Sequence, residues 1–369
     1  MPTVLVVGAG GSLAQSLSLR RRWRLREQPP LDADFFARVN RLADRDADLQ
    51  QRVTNLRANI AATQGLIRDP WTGPQMRLEQ YFADVYYEVA SARSPQALPV
   101  YLSLLGLYVE VLCQTTNWLA THPRGGSVDR LVQREVDRIA PEEATVITFN
   151  HDLVLEGAIV RLWPNFNGGC LNALYGDLGL TELFPPPPRP TFPRHRPACT
   201  HDRPLLLLKL HGSLNWTVRT RSRNPGITTL FPVNQNRAVY LLNDREAPAT
   251  PVHEVPRGRR REWYLWNLVV PPIYEKHRII GMSVINRVWD MAYERLRNAS
   301  RLILFGYSMP EPDVSAQQMF RNALVSNPNL AEVDVINPNA ELVLKLKAVL
   351  SPKVIRLYDS VETYIARNP

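Results

Sequence analysis

The sequence predicts an α/β fold built on a parallel sheet. Short apolar runs of strand length alternate with stretches that repeat apolar residues at helical spacing, the order expected of strand–helix–strand units. Several runs are apolar throughout, as strands covered on both faces are. Each run also ends in small or polar residues, and in open α/β sheets ligands bind at the carboxyl ends of the strands. At 369 residues the chain can bury one large core with an insertion, or two domains. Its 45% hydrophobic content argues against wholesale disorder.

The first predicted strand is the apolar run Thr3–Val7, followed by Gly8-Ala9-Gly10-Gly11-Ser12. A strand running into a glycine-rich turn brings backbone N–H groups to a phosphate at a helix N-terminus. Leu13 stands where G-x-G-x-x-G would place its third glycine, which disfavours a hydride-transfer dehydrogenase. No charged n-region or small-residue cleavage site accompanies this run, so it reads as a strand and not as a signal peptide.

Residues from about 30 to 138 read as helical. Leu78, Phe82, Val85 and Val89 recur at helical spacing. The run Leu98–Cys113 is shorter than the roughly 20 residues that span a bilayer and ends beside Glu110 and Gln114, so a buried helix is expected and no membrane. Strands return at 144–152 (ATVITFNHD), 203–212 (RPLLLLKLHG), 300–308 (SRLILFGYS), 331–338 (AEVDVINP) and 353–359 (KVIRLYD). Ile285, Val288, Trp289, Ala292 and Leu296 mark an amphipathic helix between them. The proline-dense segment 183–204 reads as a loop or rigid linker, and 217–270 as an irregular, hairpin-rich insertion. The expected division is therefore 1–30 (first strand and glycine loop), 31–140 (helical insertion) and 141–369 (the remainder, with a proline-rich irregular insertion near 183–270).

The formal charge of +9 is concentrated in Arg20–Arg26 (RRRWRLR) and Pro256–Arg261 (PRGRRR). Such clusters suit phosphates, nucleic acid or an acidic partner, and equally a solvated loop. Cys113, Cys170 and Cys199 form no C-x-x-C pair, which leaves neither a disulfide framework nor a four-cysteine zinc site. No metal is expected, and a reducing cytoplasm is.

The strand ends carry the functional signal. In order they are Gly8–Ser12, Asn150-His151-Asp152, His211-Gly212, Gly306-Tyr307-Ser308 and Asn337-Pro338-Asn339. A lone histidine at a turn is more often a ring satisfied by backbone groups, but five polar strand ends in order build a nucleotide site.

This ordered set, with GAGGS, TFNHD, LHGSLNW, GYSMPEPD and INPN, resembles the sirtuin fold. It resembles more closely the sirtuin-like NAD-consuming enzymes of bacterial antiphage defence, which share the PPLDADFF of Pro29–Phe36. The resemblance runs from Thr3 to Asn339. It implies a Rossmann-like domain that binds NAD as substrate, with Gly8, Ala9, Gly10 and Ser12 around the phosphates. Asn150 and Asp152 would lie near nicotinamide and its ribose, and His211 would be the catalytic histidine. Gly306, Ser308 and Asn337 would line the phosphate and adenosine side. Protein-deacylating sirtuins carry a four-cysteine zinc module and a Pro-x-Phe-Arg continuation of the glycine loop. Both are missing here, which weakens the deacylase reading.

The chemistry agrees with these residue types. Cleaving the nicotinamide–ribose bond passes through an oxocarbenium-like centre, and the cationic leaving group departs neutral without an acid. Asn150 can orient the ribose or a water, and the His211 imidazole is a base near neutral pKa. His151 falls on the opposite face if the strand persists and reads as structural. Asp152 could orient nicotinamide or cap the helix that follows. Glu311 and Asp313 read as a proline-bounded turn and helix cap, with a ribose contact as the alternative, and Trp216 and Trp289 read as core or interface aromatics and not as stacking platforms.

The function expected is NAD glycohydrolysis by a defence effector. The alternatives are a deacylase or a non-catalytic nucleotide-binding assembly module, and a module would not need both Asn150 and His211. A homo-oligomer is expected, and the resemblance implies a HerA-like hexameric ATPase partner; the basic clusters leave nucleic acid as the lesser alternative, since no interleaved aromatics or groove-reading motif accompany them.

Overall fold

The computed structural model describes residues 1–20, 27–72, 74–90, 94–121, 125–137, 143–162, 171–176, 178–183, 205–220, 239–242, 252–257, 261–271, 283–310, 313–339, 341–349 and 354–368. Two sheets organise them. The strands in chain order are β1 (Thr3–Val7), β2 (Ala144–Thr148), β3 (Thr181–Leu183), β4 (Leu206–Lys209), β5 (Gly212–Thr220), β6 (Val239–Leu242), β7 (Val252–Arg257), β8 (Arg261–Val269), β9 (Arg301–Phe305), β10 (Glu332–Ile336) and β11 (Val354–Tyr358). The first sheet has six parallel strands in the order β11-β10-β9-β1-β2-β4. The chain winds outward from β1 in one direction and returns beside it to wind in the other. That is the doubly wound, Rossmann-like order, and its switch point lies between β1 and β9.

The register is in phase across the whole sheet. Val7 pairs with Thr148 on one side and Phe305 on the other, Phe305 with Ile336, Ile336 with Tyr358, and Thr148 with Lys209. Every strand therefore ends on one line, and the residues just beyond it share one edge.

A helical layer covers the sheet. After α1 (Ala9–Arg20) come α2 (Phe35–Ala43), α3 (Ala47–Ala62), α4 (Leu78–Ala90), α5 (Ala97–Thr121) and α6 (Ser127–Asp137). Helix α5 runs 25 residues, longer than its apolar run foretold. It is long and apolar enough to cross a membrane, yet 72% of its most apolar window is buried inside the molecule. Its Tyr101 and Tyr108 pack edge-on against Phe82 of α4. Cys113 on the same helix is a buried thiol that desolvation pushes up to about 12, which favours its protonated form. The remaining helices are α7 (Val154–Leu162), the short α8 (Leu171–Leu174), α9 (Ser283–Arg297), α10 (Val314–Val325), α11 (Glu341–Val349) and α12 (Val361–Arg367).

The second sheet has the order β3-β6-β5-β8-β7, with β5, β8 and β7 antiparallel neighbours. Among the described residues of 217–270, β5 pairs antiparallel with β6 and β8, and β8 with β7. Polar and apolar residues alternate from Ser213 to Val218, yet residues 212–218 of β5 are all buried, and a bulge between Ser213 and Thr217 breaks its register. The expected strand 203–212 is corrected: β4 ends at Lys209, and Gly212 already belongs to β5. Of the segments singled out in the sequence, 184–204, Arg21–Arg26, residues 258–260 and Glu311 lie outside the described residues.

Candidate active site

The two glycine-bearing strand ends meet at the switch point. Helix α1 begins at Ala9, which places Gly10, Gly11 and Ser12 in its first turn. The Gly10 N–H donates to Gly306 O at 3.0 Å, and the Gly11 N–H to Gly8 O at 2.8 Å. A Cβ on Gly8 would lie 2.6 Å from Gly306 O, and one on Gly306, whose φ is +59°, would lie 2.2 Å from Gly11 N. These glycines let two loops touch. The Gly10 amide is thus engaged across the two loops, and the Gly11 amide within its own turn.

Ser12, Asn150 and Asp152 form one bonded group beside that contact. Ser12 Oγ donates to Asp152 Oδ2 at 2.7 Å, while Asn150 Nδ2 donates to Gly8 O at 3.0 Å and to Ser12 Oγ at 3.1 Å. Thr148 prepares the turn, donating from Oγ1 to Val7 O at 2.8 Å and accepting the Asn150 N–H at 3.1 Å. Asp152 Oδ1 accepts the Val154 N–H at the start of α7, so its capping role and its contact with Ser12 coexist. Burial raises the Asp152 carboxyl above the ordinary range, opposed by Lys209, Ser12 and the Val154 N–H.

Lys209, the one charge in an otherwise apolar strand, is fully buried beneath this group. Its ammonium donates to Asp152 O at 2.5 Å and to Glu156 Oε1 at 2.8 Å, with His151 O at 3.4 Å. Glu156 also accepts from Tyr175, whose hydroxyl in turn accepts from Asn215. The sequence offered a signal here, a lysine inside a leucine run, whose partners all lie more than fifty residues away except through the fold.

His211 occupies the turn between the two sheets. Gly212 takes φ +78°, and a Cβ there would lie 2.1 Å from Leu268 O. The turn is pinned by Trp289 Nε1 donating to Leu210 O at 2.8 Å and by the Val270 N–H donating to His211 O at 2.8 Å. His211 Nε2 lies 3.7 Å from Asp313 Oδ2. Phe149 lies edge-on to the ring at 5.2 Å, and the face of Phe149 stacks on Tyr307 at 4.5 Å.

His151 follows the end of β2, so strand alternation does not decide its direction. Its Nε2 meets Val270 O at 3.0 Å and its Nδ1 meets Tyr108 Oη at 2.8 Å. A carbonyl only accepts, so Nε2 carries a proton, and in the neutral ring Nδ1 accepts from Tyr108. Both nitrogens are occupied, which is the structural role expected of this residue.

On the far side of the switch point Asn337 Oδ1 accepts the Asn339 N–H, and Ser308 is exposed. Asp313 does cap α10, accepting the Ala316 N–H, but it also faces His211, a contact across a hundred residues that no local pattern announces. Trp216 is fully buried, as a core aromatic should be.

A cavity of about 950 Å³ opens over this edge. Gly8, Ala9, Gly10, Ser12, Asn150, Asp152, His211, Gly306, Ser308 and Asn337 all line it. Sequence reasoning missed Tyr108 and Glu79 from the helical layer, which line it too, and named Tyr307 at its strand end without giving it a role. Among the described residues no cluster of three side chains is placed to hold a metal ion.

No protein-family model and no curated protein matches the chain. A solved structure described as "Structural Basis for the Mechanism and Regulation of Sir2 Enzymes" is similar at 13% identity and a TM-score of 0.35, covering 100% of this chain and 93% of that one. At that distance any functional reading rests on the site itself.

Proposed function

We propose that the protein is an NAD glycohydrolase that cleaves NAD to nicotinamide and ADP-ribose. One observation carries the reading: the bonded group Ser12–Asn150–Asp152 and the His211 ring line the same cavity, at the carboxyl edge of a doubly wound sheet. Its volume lies within the range of small-molecule and cofactor sites. Asn150 and Asp152 are fixed by bonds to the glycine loop and to α7, which suits them to hold ribose and nicotinamide without reorganising. His211 is the base. Water attacks C1′ of the ribose as the C1′–N bond breaks, the bonding pair leaves with neutral nicotinamide, and the water's proton passes to the imidazole.

The defence role, homo-oligomerisation and an activating HerA-like ATPase belong to the same proposal and rest on the sequence motifs alone. The arginine clusters are its candidate contacts with that partner or with nucleic acid. Incubation with NAD, alone and with the ATPase, is expected to release nicotinamide and ADP-ribose by mass spectrometry. Asn150→Ala and His211→Ala are each expected to lower the rate by about 10²–10⁴ while melting near the parent. Intact NAD under every condition, with nucleotide still bound, would establish the assembly-module reading instead.

A further inference from the structure

The residue that caps α10 also faces the ring that follows β4. Asp313 is 2% exposed; its Oδ1 accepts the Ala316 N–H at 3.4 Å, and its Oδ2 lies 3.7 Å from His211 Nε2. Around the same ring stand Phe149 at 5.2 Å, His151 at 6.0 Å and Trp289 at 6.2 Å between centroids. Of these His151 can titrate, and both its nitrogens are engaged by Tyr108 and Val270. Among the described residues Asp32, Glu79, Asp152, Asp359 and Glu362 also line the cavity. A cap needs no charge, since serine or asparagine serves as well, and a carboxylate buried this deeply is costly unless it faces a cation.

We propose that Asp313 is a positioning residue for His211. Its carboxylate orients the imidazole and stabilises the imidazolium that forms when the ring takes the proton of the attacking water. The inference rests on His211 being the base of the proposed hydrolysis. In that step the O–H pair stays on the water oxygen as it bonds C1′, and the positive charge appears on the ring opposite Asp313.

Asp313→Asn separates the two roles, because asparagine keeps the cap and removes the charge. A neighbouring opposite charge favours the charged form by about 1–3 pH units, so its loss lowers the midpoint at which His211 protonates. The ring titrations are followed by NMR in the parent and in Asp313→Asn, with His211 assigned by the signal lost in His211→Gln. The expected result is a His211 midpoint lower by about one unit or more, with His151 nearly unmoved. In turnover, the acidic limb of the pH–rate profile moves to lower pH and the plateau falls on the order of 10- to 100-fold. An unmoved His211 titration in a natively melting variant overturns the proposal, whether or not NAD is cleaved. A shifted titration in a protein that leaves NAD intact upholds the pair and removes only the hydrolase reading. If Asp313→Asn melts far below the parent, Asp313→Ser, which keeps a capping oxygen, is titrated in its place.

Discussion

Asp152 sits where two demands on one carboxylate conflict. It must accept from Ser12 and from the Val154 N–H, and it does so in a site dry enough to raise its pKa above the unfolded value. A carboxyl raised on folding holds its proton more tightly when folded, so parent stability rises as pH falls through the folded value and levels off near the ordinary value of about 3.9. Asp152→Asn cannot take that proton. Urea unfolding of both proteins across an acidic series is therefore expected to show the parent gaining on the variant as pH falls, and a constant difference would mean that the carboxyl is not raised. How much of the site was legible depended on the range of each interaction. His211 could be found because an apolar run ends on it, and Asn150 and Asp152 because they follow another. Asp313 and Lys209 owe their roles to partners brought close only by winding the sheet. The glycines were found from their place at strand ends, while the contact between Gly10 and Gly306, which joins residues nearly three hundred apart, appears only in the fold.

The strands of the parallel sheet were readable as elements because both faces are buried and their composition needs no alternation. The same signal failed for the second sheet, where buried polar residues such as Asn215 and Thr217 interrupt β5 and a bulge shifts its pairing. The joint between the sheets is Gly212. Its left-handed backbone and the closeness of Leu268 O leave no room for a side chain. Gly212→Ala is expected to lower stability by about 2–4 kcal/mol, read as a shift in the urea midpoint at unchanged slope. A midpoint within a few tenths of a kcal/mol of the parent would show that the turn can relax, and with it the placement of His211.

The cavity belongs to the whole molecule, because its walls come from opposite layers. The sheet edge supplies the glycine loops and the polar strand ends, while Pro29–Ala33, Glu79 and Tyr108 come from the helical side. Arg130 of α6 and Glu362 of α12, both lining it, are ion-paired with one another. Ligand bound there should protect both layers together, since binding stabilises the closed arrangement against local opening. Hydrogen exchange with saturating NAD is expected to slow amides at 31–36 and at 306–309 alike, and protection confined to the sheet side would place the ligand elsewhere. Val270, one residue past the end of β8, gives its N–H to the His211 carbonyl and its own carbonyl to the His151 ring. The backbone of one histidine and the ring of the other are thus indexed to one residue at the end of a strand that carries none of the predicted chemistry. Sliding β8 by a single position would carry Val270 about 3.3 Å along the strand and release both at once. Drift in the lengths of the loops that join these strands leaves that index untouched, whereas an inserted residue inside β8 erases it.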